Sequence, residues 1–157
     1  MRNFGVGIIG CGLIGHKRSK TLPNNCKLYG VSDLNIKNAK KLASKFKDVK
    51  IFETSEELIK DQNIEIVIIS TLHNSLSSLT NLAVLNNKHV LVEKPAARNS
   101  TELFSTLQNL KSSKSVVHVG FNHRYHRAFQ KAKEIIQSQI LGAVSYTHLT
   151  LPTILRV

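Results

Sequence analysis

Short apolar runs alternate with helical stripes along most of this 157-residue chain. Val6, Ile8 and Ile9 form a run too brief and too β-branched for a helix. Similar runs recur at Leu28 to Val31, Lys50 to Phe52, Ile64 to Ser70, His89 to Val92 and Val116 to Val119. The fourth of the six, Ile64 to Ser70, is nearly all apolar, as a strand buried on both faces should be. Ala39, Leu42, Ala43 and Phe46 recur at i, i+3, i+4 and i+7, one stripe of a helix. Thr54 and Glu57 have capping-box spacing and start a short helix. Ser75 to Asn86 reads as a helix with Leu76, Leu79, Leu82 and Ala83 inward. Asn99 caps another, with Leu103, Phe104, Leu107 and Leu110 on one side. A last helix, from about His126 to Ile140, is expected to bury Phe129, Ala132, Ile135 and Ile136, with Gly142 as its C-terminal cap. This alternation predicts an α/β fold built on a doubly wound parallel sheet.

Three glycines follow the first run at once. Gly10, Gly12 and Gly15 have G-x-G-x-x-G spacing, and a helix from Leu13 to Leu22 follows the first strand. In this Rossmann-type arrangement Gly10 permits the tight turn and Gly12 lets the backbone approach a pyrophosphate. Gly15 lets the helix lie close to the strand. The phosphates then meet free N–H groups at a helix start, where the dipole favours negative charge. Cys11, Leu13 and Ile14 fill the variable places of the loop and complete the candidate phosphate-binding set. Asp33 closes the second run, where the motif requires a carboxylate for the ribose hydroxyls. Aspartate also forms turns at strand ends, and the two roles are compatible. A carboxylate repels a ribose 2′-phosphate, so NAD is favoured over NADP, although Lys37 and Lys40 lie nearby. Ligands of such sheets lie beyond the carboxyl ends of the strands. Those ends also carry Thr71 to Asn74, Glu93-Lys94-Pro95 and Asn122-His123-Arg124.

Composition changes this picture little. With 41% hydrophobic and 20% charged residues the chain is globular, and its length suits one core. No apolar run approaches the roughly 20 residues of a membrane span, and no signal-peptide pattern opens the chain. Cys11 and Cys26 are too few for a disulfide framework. A cytoplasmic protein with reduced thiols is expected. The net charge of +12 raises the question of nucleic acid. The lysines, however, scatter over outer helix faces, and no aromatics interleave with them as a stacking platform would need. A solvated basic surface is expected, with neither a nucleic-acid nor a membrane partner. His118, His123, His126 and His148 match no zinc spacing, so no metal is expected.

Taken together, the motifs occur in the order and spacing of one family. G-C-G-L-I-G, Asp33, S-T-L-H-N-S, K-H-V-L-V-E-K-P and G-F-N-H-R-Y resemble the N-terminal half of a Gfo/Idh/MocA dehydrogenase, over about residues 4 to 143. The resemblance implies NAD or NADP chemistry at a carbinol carbon of a sugar, sugar acid, nucleotide sugar or cyclitol. It implies that Gly10, Gly12 and Gly15 hold the pyrophosphate and Asp33 the ribose. Thr71 and His73 would line the cofactor groove, and Glu93 and Asn122 would lie towards the nicotinamide. Lys94 would be the catalytic lysine, orienting the reacting hydroxyl or moving its proton. Its bond to Pro95 is often cis in the family. A lysine does such work best with its pKa lowered by burial or a neighbouring cation. Leu72 and Arg127 depart from the pattern, because many relatives have proline at both places.

The resemblance also sets the expected boundaries. Residues 1–122 read as a dinucleotide-binding Rossmann domain, and 123–143 as a crossover helix leading towards the family's second α+β domain, which is missing here. Residues 144–157 do not read like the family and are expected to be a non-native tail. Val144 to Thr153 back-translates to ten codons resembling a transposon-end sequencing adapter. A genuine edge strand with Val144, Tyr146 and Leu149 inward is the alternative. The chain is then expected to be the cofactor-binding half of an NAD(P)-dependent oxidoreductase, inactive alone. Its full-length parent would be a homo-oligomer acting on a small polyol or sugar. The alternative function is a non-catalytic NAD-binding sensor or regulator on the same fold.

Overall fold

The computed structural model describes residues 2–140 and 142. The chain divides into two units, residues 1–120 and 121–157. The reading of 144–157 as a foreign tail lies outside the described residues. In the first unit the strands are β1 (Phe4–Ile9), β2 (Cys26–Ser32), β3 (Lys50–Ile51), β4 (Ile66–Ile69), β5 (His89–Val92) and β6 (Val117–Val119). The helices are α1 (Leu13–Lys20), α2 (Ile36–Ala43), α3 (Ser55–Lys60), α4 (His73–Leu85) and α5 (Phe104–Lys111). All strand pairs are parallel, in the order β3-β2-β1-β4-β5-β6. This is the doubly wound sheet that the alternating periods indicate, with the strand order reversing between β1 and β4.

Alternate residues of the central strands feed two cores. Val67 and Ile69 of β4 join Val90, Val92, Leu76 and Ala83 on the α4 side. Ile68 joins Val6, Ile8, Val31, Ala39 and Leu42 on the α2 side. A strand that supplies both faces has no polar side to offer, which explains its apolar run. The Thr54 hydroxyl accepts from the Glu57 N–H at 3.1 Å, so the cap that opens α3 forms as its spacing indicates.

Register sets the site. Ile9 pairs with Ile69, Ile69 with Val92, and Val92 with Val119. The ladder continues one residue past each strand. Ser70 donates to Ile9, Glu93 to Ile69 and Gly120 to Val92, at 2.8–2.9 Å. On the other side Gly10 donates to Ser32 at 2.9 Å. Gly10, Ser70, Glu93 and Gly120 therefore stand in one row along the carboxyl edge, with Asp33 beside them.

Two helical faces differ from their expected ones. Asn99 does cap the turn before α5, its side-chain oxygen accepting from the Glu102 N–H at 3.0 Å. That first turn, Thr101–Leu103, is a 3-10 helix, however, and it advances about 20° more per residue than an α-helix. The inward set becomes Leu103, Thr106 and Leu110, while Phe104 and Leu107 face solvent. In the second unit a 3-10 turn, Asn122–Tyr125, precedes α6 (Arg127–Gln137). Its residues Phe129, Ala132, Ile135 and Ile136 are exposed rather than buried. Periodicity identifies an apolar stripe but not the surface that would cover it. The left-handed residue after this helix is Gln139 (φ 57°), and Gly142 (φ 67°) stands three residues further on, its N–H donating to the Gln139 carbonyl. No helix among the described residues is long and apolar enough to cross a membrane.

At the opposite edge of the sheet, Lys88 is buried just before β5. Its ammonium donates to the carbonyls of Asp61 at 2.8 Å and Ile64 at 2.7 Å, tying the α3–β4 connection to the start of β5. Burial lowers its pKa, and the nearby Asp61 and Glu65 carboxylates oppose that shift. Lys88→Ala removes both hydrogen bonds, taking the ammonium from the Ile64 carbonyl while the Asp61 carbonyl keeps the Ile64 N–H at 3.2 Å. We expect it to cost about 2 kcal/mol in urea denaturation. Lys111→Ala, at an exposed helix position, should stay within about 0.5 kcal/mol of the parent.

Candidate functional site

The loop between β1 and α1 is shaped by two close approaches. Gly10 has φ 87°, and a Cβ there would stand 2.5 Å from the Ser70 carbonyl oxygen. A Cβ at Gly15 would collide with the Gly10 carbonyl oxygen. A side chain at Gly10 would push the loop away from the end of β4, and one at Gly15 would push α1 away from the end of β1. Ser70 fastens the turn from the neighbouring strand end, its hydroxyl donating to the Gly10 carbonyl at 2.7 Å.

Gly12 differs from both. It caps α1 in an extended conformation without a side-chain hydrogen bond, and nothing lies within 4 Å of where its Cβ would be. The first N–H groups of a helix have no partner within it. Here they open onto empty space at a positive helix end, an arrangement that suits a pyrophosphate. Leu13, Leu34 and Leu72 stand exposed around the loop, and Ile14 is partly so. Apolar surface with a few convergent polar groups is the usual make-up of a small-molecule site.

Asp33 has more than one task. Its Oδ2 accepts from the Cys11 N–H at 2.6 Å, binding the glycine loop to the end of β2. Its Oδ1 accepts from the Asn35 N–H at 2.8 Å and from Asn38 at 3.4 Å. A carboxylate has about four acceptor positions, and with three in use one remains, on Oδ2, for a ribose hydroxyl. Turn formation and a place beside the loop thus coexist in one residue. The Cys11 thiol is buried and donates to the Ser32 carbonyl at 3.5 Å. Burial, then the Asp33 charge, push its pKa up to about 12.

Past β4, Thr71 is half-buried, and its hydroxyl accepts from Ser75 at 2.8 Å. His73 is exposed as the first residue of α4. Past β5, Glu93 is buried while Lys94 and Pro95 are exposed. The Lys94–Pro95 peptide bond is cis. The Lys94 ammonium makes no hydrogen bond or ion pair among the described residues. The structure therefore brings Gly10, Cys11, Gly12, Leu13, Ile14, Gly15, Asp33, Thr71, His73, Glu93 and Lys94 to one edge of the first unit. Asn122 belongs to the second unit, where it opens the 3-10 turn.

Sequence reasoning missed Arg18, whose guanidinium pairs with Glu93. Its one signal was position. Arg18 and Ser19 follow Gly15 at i+3 and i+4, on the face that the glycine marks as inward. It also missed Ser70, which had no reading of its own as the last residue of an apolar run.

The model of an oxidoreductase family with an NAD-binding Rossmann fold matches residues 4–121. Myo-inositol 2-dehydrogenase of Thermotoga maritima is 28% identical over 147 residues, which cover 92% of this chain and 44% of that protein. Inositol 2-dehydrogenase of Salmonella typhimurium is 28% identical over 148 residues, covering 91% and 44%. The solved structure of myo-inositol dehydrogenase from Lactobacillus casei, in complex with NAD(H) and myo-inositol, superposes with a TM-score of 0.82 at 25% identity. That match covers 90% of this chain and 43% of the other. The chain thus spans less than half the length of the relatives it matches.

The thiols offer a test of the loop's packing. At pH 8 a thiol of pKa near 12 holds about a thousandfold less thiolate than a free one. With Ellman's reagent the folded chain should show one reactive cysteine, the half-buried Cys26. Cys11 should react only on denaturation. Two fast thiols would mean that the loop does not hold Cys11 against Asp33 and Ser32.

Proposed function

The chain belongs to the Gfo/Idh/MocA oxidoreductase family, and on that premise we propose that it supplies the cofactor-binding half of an NAD-dependent dehydrogenase acting on a cyclitol hydroxyl. The observation that carries this reading is the open cradle at Gly12, set between β1 and β4 where the strand order reverses, with Asp33 beside it. The residues present fit a dinucleotide. Gly10 and Gly15 bring α1 close enough for its first N–H groups to meet the pyrophosphate. Asp33 accepts from the adenosine ribose with the acceptor position left over from Cys11, Asn35 and Asn38, and its charge repels a 2′-phosphate. The bound cofactor supplies the hydride acceptor. Thr71 and His73 line its groove, and Glu93 lies towards its nicotinamide end.

Lys94 orients the reacting hydroxyl and assists removal of its proton. Lys94 is exposed and follows Glu93 in the row formed by Gly10, Ser70 and Glu93, a position that supports this role. Inositol as the substrate class is supported by the relatives' activities. Holding the substrate carbon in reacting alignment with the cofactor is where much of the rate of a bound pair arises. Those contacts require more protein around Lys94 than the sheet edge provides.

Two outcomes follow. Calorimetric titration should show tighter binding of NAD(H) than of NADP(H), and Asp33→Ala should reduce that preference by roughly tenfold, or ~1.4 kcal/mol. Equal affinities in the parent chain would remove Asp33 from the site. The 157-residue chain should bind NAD(H) yet show no NADH formation with myo-inositol at 340 nm. Fusing the C-terminal half of an inositol dehydrogenase should give turnover, and Lys94→Ala in that fusion should lower kcat by at least roughly a hundredfold with little change in NAD affinity. Turnover by the short chain would show that the site is already complete.

A further inference from the structure

Arg18 is a residue that the glycine motif does not ask for. Its Nε donates to Glu93 Oε1 at 2.7 Å, and Nη2 reaches the same oxygen. The two side chains are only 20% and 12% exposed. Gly120 closes over the pair from the end of β6. A Cβ there would stand 3.1 Å from Arg18 Nη2 and 3.2 Å from Glu93 Oε2. The Glu93 backbone is held as well, its N–H donating to Ile69 and its carbonyl accepting from Ala96. Ala96 itself has φ 74° and ends the turn that contains the cis Lys94–Pro95 bond. One arginine thus joins the helix that begins at the glycine loop to the turn that presents Lys94.

The topology says which part of the cofactor this turn meets. With the pyrophosphate at the β1–α1 loop and the adenosine ribose at Asp33 beyond β2, the other mononucleotide half runs towards β4, β5 and β6. The nicotinamide end then comes to the strand ends that carry Ser70, Glu93 and Gly120. A buried carboxylate there needs a partner, since removing one member of a buried pair leaves an uncompensated charge. We propose that Arg18 is a positioning residue of the cofactor site, holding the Glu93–Lys94 turn against the phosphate-binding helix and compensating the Glu93 charge beside the nicotinamide. This deepens the proposed function and rests on its cofactor assignment.

The proposal has an electrostatic signature. The oxidised nicotinamide ring is cationic and the reduced ring is neutral, so charge at this edge biases their relative binding. Arg18, Glu93 and Lys94 together carry one positive charge, and removal of Arg18 leaves none. The test measures Kd for NAD+ and NADH by calorimetry on the parent chain, Arg18→Met, Arg18→Lys, Glu93→Gln and the Arg18→Met/Glu93→Gln double variant. Arg18→Met should lower the ratio Kd(NAD+)/Kd(NADH) roughly tenfold, and Glu93→Gln should raise it by a similar factor. Arg18→Lys and the double variant should stay within about twofold of the parent ratio. A purely structural staple would weaken both forms alike, and an unchanged ratio in Arg18→Met and Glu93→Gln would overturn the proposal. Should Arg18→Met fail to fold, Glu93→Gln and the double variant, which bury no lone carboxylate, decide by the same ratios. Failure of the parent chain to bind either form would instead overturn the cofactor reading itself.

Discussion

The close approach of α1 to the end of β1 is the constraint on which the rest of the candidate site depends. Most helices of a doubly wound fold are held by an apolar stripe, as α2 is by Ala39 and Leu42. Helix α1 has no such stripe, since its buried residues are Gly15 and Ser19 and its outer positions are largely basic. What holds it is backbone proximity. Gly15 lies against the Gly10 carbonyl, Ser70 fastens that carbonyl, and Arg18 anchors the helix to Glu93. A helix fixed in this way leaves its first turn free of side-chain obstruction.

The second constraint is register. In a parallel sheet each strand ends at a level set by its neighbours, and four strand ends here fall into one row. The residue after each end is therefore delivered to the same edge whatever its chemistry. Gly10, Ser70, Glu93 and Gly120 use that position differently: as a turn, a hydroxyl donor, a paired carboxylate and a space for the pair. The polar edge is a consequence of aligned apolar strands. It also explains why a lysine such as Lys94 can stand exposed at the end of a buried strand at no cost to the core.

Several residues serve structure and site together. Asp33 closes β2, holds the Cys11 N–H and keeps acceptor capacity free. Cys11 fills the core beneath the loop, and the neighbouring carboxylate helps keep its thiol neutral. The basic excess stays largely on outer faces, where it contributes a favourable field for an anionic ligand more than any specific contact.

The sequence by itself determined the sheet, the glycine loop and the strand-end positions of Asp33 and Lys94, because these depend on local properties. A β-branched apolar run forms a strand, and glycine spacing permits one kind of turn wherever it follows a strand. Tertiary structure decided what depends on distant partners. The Arg18–Glu93 pair joins residues 75 positions apart, and no spacing rule connects a helix arginine to a strand end. The 3-10 turn before α5 rotated that helix and put Thr106, in place of Phe104 and Leu107, against the core. The apolar stripe of α6 was legible but its burial was not, since amphipathicity states that a face can be covered and only the assembled surfaces state by what.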